Sequence, residues 1–204
     1  MNFLAHAYLS FGFKPLIIGN LISDFVKGKK QFEYPTGIQA GISLHRKIDI
    51  FTDHHIATVK AVKLLKPSAG RYAPVFMDVI YDHFLARDRF EFPGSSLSQF
   101  ASVTYSVISE GHQLLPLKFR NMVPYMIAEN WLENYGFTSN IQRSFNAIFR
   151  RAKYIDADES VFNTFLDKYE DFEGYYNWFF PDVKQYALSL LNETDKNMLS
   201  DFTF

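Results

Sequence analysis

Four stretches of this chain set histidine or aspartate against apolar neighbours, in patterns able to hold a divalent cation. In the run from Gly41 to Asp53, the residues His45, Asp49 and Asp53 fall at i, i+4 and i+8. Each step of four drifts by about 40° round an α-helix, so the three share one face. The chain has no cysteine, so no sulfur is available as a ligand. An imidazole with two carboxylates suits Mn²⁺, Mg²⁺, Fe²⁺ or Zn²⁺ better than a softer metal. Leu44 and Ile48 frame the stripe and would turn it inward, where ionisable groups are costly unless paired or metal-bound. The competing reading is a solvated stripe paired with Arg46 or Lys47.

The second stretch holds Asp78 and Asp82 at i, i+4 with His83 beside them, among Val79, Ile80, Phe84 and Leu85. Carboxylates inside an apolar helix want a cation, which a metal would supply, or else Arg71, Arg87 or backbone N–H groups. In the third, Gly19 to Gly28, Asp24 lies among apolar residues with Lys27 one turn on; the alternative is an i, i+3 surface pair. In the fourth, His6 follows Leu4 and Ala5, and its alternative is a hydrogen-bonded core histidine. Helical proteins build metal sites by bringing such segments together. A divalent ion there polarises a phosphoryl oxygen and lowers the pKa of a bound water, so the reaction class suggested is metal-assisted phosphoester hydrolysis.

The candidate ligands are His6, Asp24, His45, Asp49, Asp53, Asp78 and Asp82, with Asp24, Asp49, Asp82 and His83 as candidates for the chemistry. One aspartate would orient the attacking water as general base. Arg46, with Lys27 or Arg71, would hold a phosphate. No glycine-rich phosphate loop, H-E-x-x-H or G-x-S-x-G occurs. His54 and His55 read as surface or helix-end residues, and Arg143, Arg150, Arg151 and Lys153 as a basic face, either solvated or meeting an acidic partner.

Apolar residues recurring at three- and four-residue spacing predict the helices that would carry these groups. They fall at about 2–10, 15–26, 36–53, 54–66, 71–89, 97–114, 118–135, 138–151, 158–173 and 181–192. Thr36 with Gln39 makes a capping-box pattern for the third, and Lys66-Pro67 a stop for the fourth. Alternating Val/Ile/Thr runs are absent, as are internal repeats and low-complexity linkers. The expectation is one all-α domain, a helical bundle over residues 1–204.

Composition agrees with a globular chain: 204 residues, 48% hydrophobic and 21% charged. The 22 Phe and 12 Tyr are spread along its length, as core bulk would be. Net charge is −1, which gives no signal for nucleic acid. The charge is uneven, +6 over residues 1–71 and −7 over 72–204, which reads either as a basic face near the first third that attracts an acidic partner or as two ordinary solvated surfaces. No apolar run is long enough to span a membrane, and the first residues lack the pattern of a secretion signal, so a cytoplasmic protein is expected.

Asn2-Phe3-Leu4-Ala5-His6, Gly19-Asn20-Leu21 with Asp24-Phe25-Val26-Lys27-Gly28, His45-Arg46-Lys47-Ile48-Asp49 with Thr52-Asp53, and Asp78 with Asp82-His83-Phe84-Leu85 strongly resemble the acyl-carrier-protein phosphodiesterase family. The resemblance is sharpest over residues 1–90. It implies an all-helical fold distantly related to the HD-type metal phosphohydrolases. It also implies hydrolysis of the phosphodiester joining 4'-phosphopantetheine to a serine of holo-acyl carrier protein, with a divalent metal, usually manganese, or alternatively Mg²⁺ or Fe²⁺. Acyl carrier proteins are acidic, which suits the basic first third. No His is followed by Asp here, the order being Asp82-His83, so the ligand set of HD enzymes does not transfer. Two rival readings stand beside it: a phosphohydrolase of a nucleotide or other small phosphoester, and a non-catalytic helical binding module.

Overall fold

The computed structural model describes residues 1–152 and 159–191. Among these residues the chain is all helix and turn, without a strand, as the three-to-four periodicity predicts. The α-helices are α1 (Phe3–Tyr8), α2 (Lys14–Ile22), α3 (Thr36–His54), α4 (Ile56–Ala69), α5 (Ala73–Arg87), α6 (Ser96–Glu110), α7 (Leu117–Ala128), α8 (Trp131–Asn134), α9 (Thr138–Phe149), α10 (Ser160–Asp167) and α11 (Tyr169–Ser189). No described helix is long and apolar enough to cross a membrane.

Many of the described phenylalanines do fill the interior. Phe76, Phe100, Phe119, Phe145, Phe165 and Phe172 are all fully buried. Edge-on and stacked ring pairs lock the layers, with Phe76 against Phe145 at 4.9 Å and Tyr81 against Phe179 at 4.5 Å between centroids.

Several helix ends differ from expectation, each for a local reason. The expected helix over 118–135 is broken at Asn130, whose φ of 45° starts a separate turn, α8. The expected break between 173 and 181 is absent. The chain breaks instead at Lys168, and α11 runs straight through Pro181, whose neighbours Phe179, Phe180 and Val183 are buried. Residues 158 and 192, expected helix ends, lie outside the described residues, as does Lys153 of the basic face. Pro67 does not stop α4, because it falls in the last turn, where only one backbone bond is lost; Gly70, at φ 54°, ends it. Thr36 makes no side-chain cap, since α3 starts at Thr36 itself, and Gln39 donates to the Tyr34 carbonyl at 2.7 Å. His55 is a helix-end residue: its Nδ1 accepts the Ala57 N–H at 3.2 Å and caps α4.

The crossing of α2 over α3 decides where the site forms. Gly19 and Gly41 meet there so closely that a Cβ on Gly19 would lie 2.2 Å from the Ile38 carbonyl oxygen. One on Gly41 would lie 2.6 Å from the Leu16 carbonyl oxygen and 2.8 Å from Gly19 Cα. Only a pair of residues without side chains lets the two backbones touch. The contact brings the end of α2 and the 3₁₀ turn Ser23–Phe25 alongside His45.

Candidate metal centre

Helix α1 has only six residues, too few to be stable alone, so it must be held from outside. The Asn2 side chain caps it by accepting from Phe3 N at 3.0 Å. Asp82 of α5, fully buried, accepts three further N–H groups, from Asn2 at 3.2 Å, Leu4 at 2.7 Å and Ala5 at 3.3 Å. One turn earlier, Asp78 accepts from the Met1 nitrogen at 2.8 Å. The two carboxylates at i, i+4 therefore grip the start of the chain and set where His6 points. At the other end of α1, Asn20 Nδ2 donates to the His6 carbonyl at 2.8 Å and to Ser10 Oγ at 3.1 Å.

His6 so placed lies flat against His45 of α3, ring centroids 3.9 Å apart. Asp49, one turn beyond His45, sits beneath both. Its Oδ1 lies 3.1 Å from His6 Nε2, and its Oδ2 lies 3.1 Å from His45 Nε2. Asp24 Oδ1 approaches His45 Nε2 at 3.3 Å from the 3₁₀ turn. The imidazoles are buried, at 2% and 5% exposure, while the Asp24 side chain is 77% open to solvent and forms the mouth.

These atoms are close without being bonded. Both ring nitrogens of His6, both of His45 and Asp49 Oδ1 are buried with no aligned hydrogen-bond partner. Buried polar atoms are nearly always paired, so a cluster of orphans calls for a group that satisfies all of them. His6, His45 and Asp49 each present one ligand atom within 4.8 Å of the others, a spacing that could hold a metal ion. Nitrogen and carboxylate oxygen together fit Mn²⁺, Fe²⁺ or Zn²⁺.

The electrostatics point the same way. Burial and the neighbouring His45 push His6 down to about 4, leaving it neutral, as a ligand must be. Burial opposes charge on His45 as well, but Asp24 and Asp49 outweigh it and lift His45 to about 9. Against its own burial, Asp49 is held well below the usual carboxylate range by the two imidazoles. Asp24 is lowered chiefly by His45. A cluster that draws a proton onto His45 would draw a cation in its place.

The other expected site residues stand apart. Asp82 is fully engaged at the start of α1, and Asp78 holds the Met1 nitrogen, which also lies 3.6 Å from Asp49 Oδ1, so that ammonium group stands between Asp78 and the cluster. Burial pushes Asp82 up to about 7 even against its three N–H donors. His83 follows Asp82, and successive helical residues point about 100° apart. It turns away, with Nδ1 donating to the Tyr135 carbonyl at 2.7 Å and Nε2 accepting from Tyr169 O–H at 2.8 Å. Asp53, two turns from His45, has drifted off the face and is exposed. Arg46 is spent within the fold, donating to Gln31 Oε1 at 2.6 Å and to the Val26 carbonyl at 3.1 Å. Lys27 is exposed beyond the mouth, and Arg71 lies over the ring of Tyr72.

One residue of the site was not among the expected candidates. Asn20 is fully buried, lines the small cleft shared by Phe3, His6, Leu21, Asp24 and His45, and keeps its Oδ1 without a partner. The signal was an amide in an otherwise apolar stretch between Gly19 and Leu21. A roomier cleft, where Arg87 and Arg89 face Asp88 and Glu173 among Phe84, Phe90 and Tyr176, shares none of these groups and has balanced charge.

Comparison with known proteins places the sequence in a family. The family model for acyl carrier protein phosphodiesterase matches residues 1–183. The protein of that name from Klebsiella pneumoniae (strain 342) is 34% identical over 188 residues, 92% of this chain and 97% of its own. Its namesake from Enterobacter sp. (strain 638) is 34% identical over 89% of this chain and 94% of its own, and that of Yersinia pestis 32% over 92% and 97%. No solved structure matches the chain. At this coverage and identity, the chain belongs to the acyl carrier protein phosphodiesterase family.

Proposed function

We propose that this protein hydrolyses the phosphodiester joining 4'-phosphopantetheine to the serine of holo-acyl carrier protein, with a divalent metal, manganese foremost, held by His6, His45, Asp49 and Asp24. The family match supports the activity. The single observation that carries the metal is the convergence of orphaned buried nitrogens and a carboxylate oxygen on one point. When bound, the ion would supply charge to the phosphoryl oxygens and acidify a water.

The chain's own residues then divide the remaining work. Asp24, whose side chain is open to solvent, orients the attacking water with its second carboxylate oxygen and takes its proton. Asn20 Oδ1, buried and unpaired, accepts a hydrogen bond from that water or from the substrate. Lys27, just past the mouth, attracts the phosphate, and Arg46 fixes the segment carrying it. Asp78 and Asp82 act through α1, by setting the position of His6.

The test is to incubate holo-carrier protein with the enzyme and follow its mass. Conversion to the apo form with release of 4'-phosphopantetheine, abolished by chelator and restored by Mn²⁺, is expected. A carrier protein left intact overturns the substrate. Conversion indifferent to chelation overturns the metal.

A further inference from the structure

Beyond its catalytic groups, the site has a neighbouring surface with no internal purpose. Directly after the Asp24 turn, the chain passes into a 3₁₀ segment, Gly28–Glu33. Lys27, Lys29 and Lys30 stand exposed there, and Phe32 presents 66% of its surface to solvent. None of the three lysines forms an ion pair among the described residues, and the only acid in the segment is the exposed Glu33. Three ammonium groups within four residues repel one another, and a large exposed aromatic two residues beyond them adds nothing to the core.

The segment is also fastened. Arg46 reaches from α3 to Gln31 Oε1 and the Val26 carbonyl, and Gln39 of α3 holds the Tyr34 carbonyl. Arg46 is the residue after His45, so the strap that fixes the lysines is anchored one residue from the candidate metal centre. A rigid basic surface beside the mouth can guide a partner's reactive group into the cleft, which a mobile tail could not.

We propose that Lys27, Lys29, Lys30 and Phe32 form the docking surface for the acidic face of the carrier protein, the lysines steering it and Phe32 giving the apolar contact at the centre. This inference rests on the carrier-protein reading above. Charge complementarity selects the occupant: an acidic protein meeting the basic first third of the chain.

The test uses the full-length Lys29→Glu/Lys30→Glu variant, which leaves every group of the cluster in place. Three quantities are measured: anisotropy of labelled holo-carrier protein, steady-state turnover of that protein, and turnover of bis(p-nitrophenyl) phosphate, a small diester that needs no docking. Carrier affinity and KM are expected to weaken by about tenfold or more with kcat within about twofold, and the salt dependence of KM to flatten. Small-diester turnover is expected to stay at the parental level. Carrier affinity equal to the parent's overturns the docking surface. So does a variant that binds carrier normally but loses binding to phosphatidylglycerol vesicles, which would make this a lipid-facing patch. A parent that binds carrier and cleaves the small diester but never the carrier overturns the functional reading instead, while anisotropy still decides the docking.

Discussion

Replacing Gly41 by alanine should damage this protein far more than a methyl group ordinarily would, and it isolates the geometric basis of the site. The added Cβ would meet the Leu16 carbonyl oxygen at 2.6 Å, Gly19 Cα at 2.8 Å and Asn20 N at 3.0 Å. All three are backbone atoms, so no side chain can swing aside. Restoring ordinary contact requires α2 and α3 to part by about 0.8 Å or more. In an exposed helix interior, glycine to alanine gains about 1 kcal/mol from propensity. Overpacking costs about 1–3 kcal/mol or more, and against rigid backbone the upper end applies, so the net sign is destabilising. At this chain length each kcal/mol lowers Tm by about 2–4 °C. Asp24 and Asn20 ride on or just beyond α2 while His45 and Asp49 ride on α3, so the same separation opens the site. A misplacement near 1 Å can cost about a hundredfold in rate. Gly174 in α11 is the control: a Cβ there meets nothing within 4 Å, so Gly174→Ala should stabilise by about 0.5–1 kcal/mol and leave turnover unchanged. Urea unfolding and diester turnover of both variants decide the matter. Gly41→Ala with parental stability and rate would refute the claim that glycine contact sets the site's geometry.

Other expectations follow from the same contacts. Asp82→Ala strips three N–H groups, two of them buried, of their acceptor and should cost at least about 2 kcal/mol in urea unfolding. His83, held neutral by burial with its pKa lowered to about 4, is an ordinary histidine when unfolded. The unfolded chain therefore takes up the proton first, and the stability His83 provides is full above about pH 6.5 and declines as pH falls toward 4, by up to about 3 kcal/mol. His83→Gln should flatten that part of the stability profile, and an unchanged slope between pH 6.5 and 4 would contradict the account. Asn20→Ala should weaken turnover and also loosen α1, seen as faster amide exchange over residues 4–7, because it loses both the unpaired Oδ1 and the donors to His6 and Ser10.

Much of the site was legible because it is local. His45 and Asp49 share a helix face by spacing alone, and the apolar flanks that argued for burial did place His45 inside. What the spacing could not give was which carboxylates of the first 90 residues meet. Asp82 looks as good a ligand as Asp49 in the sequence, yet it caps α1, since a six-residue helix must borrow acceptors from a segment nearly eighty residues away. Asp53 is exposed and off the face of His45 and Asp49 because 40° of drift per step is small once and large twice. The glycine crossing was equally hidden, as neither Gly19 nor Gly41 differs in sequence from a turn residue. Helix identity read well and helix ends poorly. Pro67 looks like a stop but falls in the last turn of α4, where a single backbone bond is lost, and Pro181 looks like the start of a helix, but α11 runs through it with Phe179, Phe180 and Val183 buried around it. The expected kinship with HD-type phosphohydrolases meets no solved counterpart.

The central claim is that His6, His45, Asp49 and Asp24 form one cation site. Titration of Mn²⁺ into chelator-stripped protein by calorimetry tests it most directly, with His45→Ala measured alongside. The account predicts saturable binding at this site, with proton release as His45 gives up its charge, and loss of that binding in the variant. No saturable uptake by the parent, or uptake unaffected by His45→Ala, would contradict it.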